Sequence, residues 1–179
     1  NNSHAEGKET SATTFSAHAE GSGTTASGEA SHAEGYLTSA TTFSAHAEGF
    51  QTIASGITSH ADGGLTIAGG VRCHAEGTLT IALSESSHAE GSETTASGGR
   101  SHSQNQGTTA SGDFSHAEGF QTIASGEASH SGGSGSTASG EVSFIHSQGS
   151  IVTGDRSAIL GGQNITGTTD DMVYIPDLY

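Results

Sequence analysis

The stretch His46-Ala47-Glu48-Gly49-Phe50-Gln51-Thr52-Ile53-Ala54-Ser55-Gly56-Ile57-Thr58-Ser59, followed at once by His60-Ala61-Asp62-Gly63, decides how this chain is read. Fourteen residues pass, and the pattern begins again. Outward from it in both directions, histidine recurs at His4, His18, His32, His46, His60, His74, His88, His102, His116 and His130, each step being fourteen. The consensus is H-A-E-G-x-x-T-x-A-S-G-x-x-S. Counting histidine as place one, place seven is Thr in every unit except the last, which carries Ser136, and place nine is Ala throughout, from Ala12 to Ala138. Place four is Gly except at Asn105. Asn tolerates left-handed backbone best after Gly, so a turn with positive φ is expected there.

A fixed short period is the mark of a repeat architecture. Ser-His-Ala-Glu-Gly reads as one short strand ending at a Gly turn, and Thr-x-Ala-Ser-Gly as a second, because alternation marks strands and Gly marks corners. Two strands and two turns per fourteen residues make one narrow rung. Rungs stacked about 4.8 Å apart build a rod. Nothing in the pattern has the helical period. The fold class is therefore all-β: a parallel β-solenoid, or β-roll, of 14-residue rungs.

The faces of the rung follow from size. On the first strand Ser31, Ala33 and Gly35 share one side, His32 and Glu34 the other. A narrow rung holds only the small set inside. On the second strand Thr52 and Ala54 point in, and the residue between them, always Ser, Thr or Ile (Ile53, Ile67, Ile81, Ile123), points out. Cys73 stands where other units have Ser or Ala and reads as a small buried residue. Phe15, Tyr36, Phe43, Phe50, Phe114 and Phe120 fall on outward places, as interface packing or as a ligand-binding patch.

Composition narrows the function. Only 30% of the 179 residues are apolar and 5% aromatic; a core of Ala, Ser and Thr buries little area against an ordering cost of about 1–2 kcal/mol per residue. More burial is needed, and the Ile column and the His/Glu face are the candidate surfaces for packing against other chains. A net charge of −15, from four Lys and Arg against 19 Asp and Glu, excludes a basic footprint for nucleic acid. One cysteine excludes an intrachain disulfide framework. No apolar run is long enough to span a bilayer, so no membrane insertion is expected. The chain begins inside a repeat, which reads as a piece of a longer protein.

These residues resemble a known family. Ser-His-Ala-Glu-Gly followed by Thr-x-Ala-Ser-Gly, in ten copies in register over about residues 3 to 165, is similar to the head repeats of trimeric autotransporter adhesins, whose 14-residue units read S-V-A-I-G with x-x-S-x-A-x-G. The His-Ala-Glu-Gly version is especially similar to repeats in phage and prophage tail-fibre and tail-spike proteins. The resemblance implies a left-handed parallel β-roll with three chains about one axis. It also implies a structural, host-attachment role, a place on a virion or an extracellular bacterial surface, and a host receptor or glycan as partner. Where that family has Val and Ile, this chain has His and Glu, so an interface formed by those places would be polar.

Domain organisation follows the pattern: regular repeats over 1–143, irregular terminal repeats over 144–169, and a C-terminal strand, cap or connector over 170–179. The eleventh histidine, His146, comes after a step of sixteen, which reads as a two-residue slip at Phe144 and Ile145. Met172 to Pro176 reads as a last strand closed by proline.

Histidine and glutamate two apart share one strand face, and stacking turns them into columns. Like carboxylates about 5 Å apart repel, so histidine protonation or hydrogen bonding to glutamate is expected, with raised histidine and lowered glutamate pKa values. The same columns suit a divalent metal, with His32, Glu34, His46, Glu48, His74, Glu76, His88 and Glu90 as the candidate ligands. No other cofactor is expected. Ser31, His32 and Glu34 do not make a catalytic triad, because Ser and His on one strand point to opposite faces; no enzymatic activity is expected. The alternatives to a fibre segment are a metal- or pH-responsive rod and, given the Thr column, an ice-binding solenoid, although that column is assigned inward.

Overall fold

A computed structural model describes residues 2–176. Among them there is no helix; short and long strands alternate along the chain and mark about twelve turns of a parallel β-solenoid. No helix is long and apolar enough to cross a membrane. The chain forms two compact units, Asn1–Gly91 and Ser92–Tyr179.

In the first unit the long strands are five residues each, from His4–Lys8 through His32–Tyr36 to His74–Thr78. They pair in parallel with a strict offset of fourteen: His32 lies against His46, Ala33 against Ala47, Glu34 against Glu48 and Gly35 against Gly49. The short strands, such as Ser39–Ala40 and Ile53–Ala54, form a second ladder with the same offset. The sequence-derived second strand, Thr-x-Ala-Ser-Gly, is thus reduced to two residues. Inside the rung, Ser31, Ala33, Thr38 and Ala40 are all at most 1% exposed, as their size requires. The walls are close enough for the buried Cys73 thiol to donate to the carbonyl of Ala82 across the interior, at 3.3 Å.

The corners differ from the expectation. The place-four glycines do have positive φ, +113° at Gly35 and +109° at Gly63, and Asn105 stands at +78°. They lie within or beside the long strand, however, and do not form its corner. Their need for glycine is doubled by stacking: a Cβ on Gly63 would lie 2.1 Å from the carbonyl oxygen of Gly77. The corners are places six and thirteen, held near +55° by ordinary residues such as Leu37, Ser44, Gln51, Thr58 and Leu79. Left-handed backbone costs an L-residue about 1–2 kcal/mol. It is offset by hydrogen bonding, because these amides donate back to the preceding rung: Leu37 N–H to Ser22 O at 2.9 Å and Ser44 N–H to Glu29 O at 2.8 Å. Place eleven has no positive φ; a Cβ on Gly56 would meet Gly70 O at 1.8 Å, whereas Thr14 and Thr42 stand at the same place on other rungs and donate their hydroxyls to Gly28 O at 2.7 Å and Gly56 O at 2.6 Å.

The second unit runs from Thr95–Ala96 to Val173–Tyr174 and keeps the same parallel order. Two long strands shorten to His102–Ser103 and His116–Ala117. Its register corrects one expectation. His130 pairs with Phe144, Ser131 with Ile145, Gly132 with His146 and Gly133 with Ser147, so there is no slip after Ser143. Phe144 occupies the histidine place and His146 the glutamate place. The irregularity comes one rung later: His146 pairs with Leu160 but Gln148 with Gln163, with an extra residue at Gly161 and Gly162, and Ala158 then pairs with Val173 at an offset of fifteen. The interior also changes, with Ile145, Val152 and Ile159 fully buried where earlier rungs place Ala, and Ile165 and Tyr174 packed against them. The last strand is Val173–Tyr174, and the end of the 170–179 segment lies outside the described residues.

Candidate functional site

Parallel stacking in register puts like on like. The outward place-one histidines of the first unit therefore stack ring on ring. Centroids are 4.9 Å apart for His18–His32, 4.7 Å for His32–His46, 4.6 Å for His46–His60 and 4.7 Å for His60–His74. Interplanar angles in these pairs are 20–27°. Beside them runs the carboxylate column, and the histidines other than His60 face the glutamate of their own strand. His32 Nε2 is 3.4 Å from Glu34 Oε2, His46 Nε2 3.5 Å from Glu48 Oε2 and His74 Nε2 3.4 Å from Glu76 Oε2; His88 and Glu90 stand at 4.0 Å.

The direction of histidine titration reverses the expectation. The pKa values of His46, His60 and His74 are lowered from the ordinary 6.5. Partial burial in the stack is the first cause and the charge of a neighbouring imidazole the second; the adjacent carboxylates push the other way and lose. The physical reason is burial first and spacing second. A cation at 4.7 Å from the next ring repels its protonation as directly as glutamate favours it, and desolvation tips the balance. At these three places the stack disfavours the charged form.

The second unit continues the pattern and then breaks it. His102 stacks on His116 at 4.9 Å, His116 meets His130 edge-on at 70°, and His130 stacks on Phe144 at 4.7 Å. In the carboxylate column Gln104 replaces glutamate, Glu118 follows, Gly132 has no side chain and His146 comes next. Glu118 Oε1 lies 3.4 Å from His130 Nε2, a residue one rung further on, whereas the glutamates of the first unit turn to their own strand. Burial lowers the His130 pKa, against the pull of Glu118 and with the help of His146.

The eight candidate ligands all lie on the outward His/Glu face. Among the described residues, His32, Glu34, His46, Glu48, His74 and Glu76 belong to no set of three whose ligand atoms converge within 4.8 Å; the candidates His88 and Glu90 do belong to such a set, and so do Glu118, His130 and His146. Sequence reasoning misses those three. A signal exists in Gly132, which interrupts the glutamates, but His146 joins the column only once the register is known. The Cys73 thiol is buried, and burial pushes its pKa up. Ser31 donates to Gly28 O at 2.6 Å inside the rung, on the opposite face from His32. The Thr column of places such as Thr52 and Thr66 is fully buried, so the regular hydroxyl array does not face water. Phe15, Tyr36, Phe43, Phe50, Phe114 and Phe120 are all exposed, with Tyr36 stacked on Phe50 at 5.4 Å.

This arrangement defines the chain as a β-solenoid with an ionisable face and exposed apolar side chains. No protein-family model and no curated protein matches it.

Proposed function

We propose that the chain is the structural, attachment-bearing segment of a homotrimeric fibre, a left-handed β-roll displayed on a virion or an extracellular bacterial surface. The observation that carries this is an inversion of apolar mass. The interior of the regular rungs is Ala, Ser and Thr, whereas Phe15, Phe43, Phe50 and Phe114 are each about half exposed and Ile53 and Ile123 remain about 40% exposed outside. Exposed apolar side chains on a solenoid with so thin a core are the surface on which further copies would pack. The number three and the host-attachment role rest on the adhesin and tail-fibre resemblance. Light scattering after size exclusion tests it: a mass of three times 17.7 kDa is expected. A monomer at micromolar concentration would overturn the trimeric reading and leave the solenoid without its proposed partners.

A second reading has its own observation. Stacked, partly desolvated imidazoles would make the solenoid acid-responsive, since protonating one ring opposes protonation of the next.

A further inference from the structure

The column at place three carries a carboxylate on every rung of the first unit, but in the second unit Gly132 leaves a gap in it. The side chains one rung before and one rung after lean over that gap. A Cβ built on Gly132 would lie 2.6 Å from His146 Nδ1 and 3.4 Å from Glu118 Oε1. On the same strand as Gly132, His130 brings its Nε2 to 3.4 Å from Glu118 Oε1. One ligand atom from each of the three residues lies within 4.8 Å of the other two.

We propose that Glu118, His130 and His146 hold one divalent transition-metal ion of the zinc class. Donors around a tetrahedral ion at about 2.0–2.2 Å stand about 3.3–3.6 Å apart, a separation that Glu118 and His130 already have. His146 is exposed and free of core packing, so it can close the remaining distance. Two imidazoles and one carboxylate select a borderline ion over calcium or magnesium, which prefer oxygen. The set leaves a fourth position for water or a group from outside the chain.

Supporting contacts orient the ligands. Gln104 Nε2 donates to Glu118 Oε2 at 2.9 Å, which leaves Oε1 directed at the gap. The Phe144 ring stacks on His130 at 18° and fixes its plane. Such outer contacts set the orientation of metal ligands. The place-three column of the first unit has no such gap, because every rung there retains its carboxylate side chain. The inference does not depend on the trimer.

The test is zinc titration of the full chain after chelator treatment, by calorimetry, with cobalt absorption as the report on geometry. The expected result is one tight equivalent per chain and a tetrahedral cobalt spectrum. Gly132→Ala keeps all three ligands but places a methyl group in the gap; it is expected to weaken that equivalent at least tenfold. His146→Ala, at an exposed position, is expected to do the same without altering the thermal midpoint in chelator. His32→Ala, in the regular ladder, is expected to leave it unchanged. Absence of a tight equivalent in the wild type, or wild-type affinity in His146→Ala, would overturn the proposal.

Discussion

The unit Asn1–Gly91 repeats itself almost without exception, and the unit Ser92–Tyr179 breaks the same pattern at Asn105, Gly132, Phe144 and Gly162. In the first, the histidines other than His60 meet the glutamate of their own strand and each inward Thr repeats its neighbour. In the second, Glu118 reaches across a rung to His130, and the inward Thr122 donates to the Glu118 carbonyl at 2.9 Å. Repetition yields uniform columns, in which no position differs chemically from the next. Interruption is what puts unlike groups into one column, as with Glu118 and His146. The difference teaches that in a solenoid the informative residues are those that depart from the consensus, provided the backbone keeps register through them.

The largest expected effect concerns that register. Gly63→Ala puts a methyl group at positive φ and 2.1 Å from a backbone carbonyl, whereas a Cβ on the adjacent Gly64 meets nothing within 4 Å. Gly63→Ala is expected to destabilise by at least about 3 kcal/mol, and Gly64→Ala to be nearly neutral. Thermal melts of the two variants make the comparison. Equal effects would mean that the rungs do not stack backbone on backbone at this place.

A smaller effect separates the two units. The hydroxyl of Thr66 is buried with no hydrogen-bond partner, and that of Thr122 is bonded. Replacing an unbonded buried hydroxyl by a methyl removes a desolvation penalty, whereas replacing a bonded one strands its acceptor. Thr66→Val is expected to stabilise and Thr122→Val to destabilise, each by about 1 kcal/mol, as read by chemical denaturation.

The smallest effect is set by pH. Because His46, His60 and His74 have folded-state pKa values below 6.5, the unfolded chain binds protons that the folded chain refuses. Their contribution to stability is fully present above about pH 6.5 and is lost as pH falls through the histidine range. The thermal midpoint is expected to fall between neutral pH and about pH 5. His60 sits among His46, His74, Asp62, Glu48 and Glu76. His60→Phe copies the ring that Phe144 places in the same column; it keeps the stack and is expected to flatten the slope. An unchanged slope would show that the column does not govern the acid response.

Much of this is legible in the residues. The fourteen-residue period defines the solenoid, and the size of Ser31, Ala33, Thr52 and Ala54 defines the inside. Three things are not legible. The corners fall on Leu37, Ser44 and Leu79, because left-handed backbone is compensated by ladder hydrogen bonds that no composition reveals. The titration direction depends first on the burial of the rings in the stack and then on a ring-to-ring distance near 4.7 Å, neither of which a linear sequence shows. The place of His146 follows backbone pairing, which carries Phe144 at the histidine position; histidine spacing alone points to a slip that the backbone does not make.

The stacking offset of fourteen is the claim on which everything else depends, and paired cysteines test it most directly. Glu34 and Glu48 are register partners on neighbouring strands, and Glu48 is in turn the partner of Asp62. One rung separates the first pair by about 4.8 Å, and two rungs separate Glu34 from Asp62 by about 9.6 Å, beyond the reach of a disulfide. The double variant Glu34→Cys with Glu48→Cys is expected to oxidise to an intrachain disulfide, and Glu34→Cys with Asp62→Cys to remain reduced. The reverse, or equal crosslinking of both, would contradict the fold described.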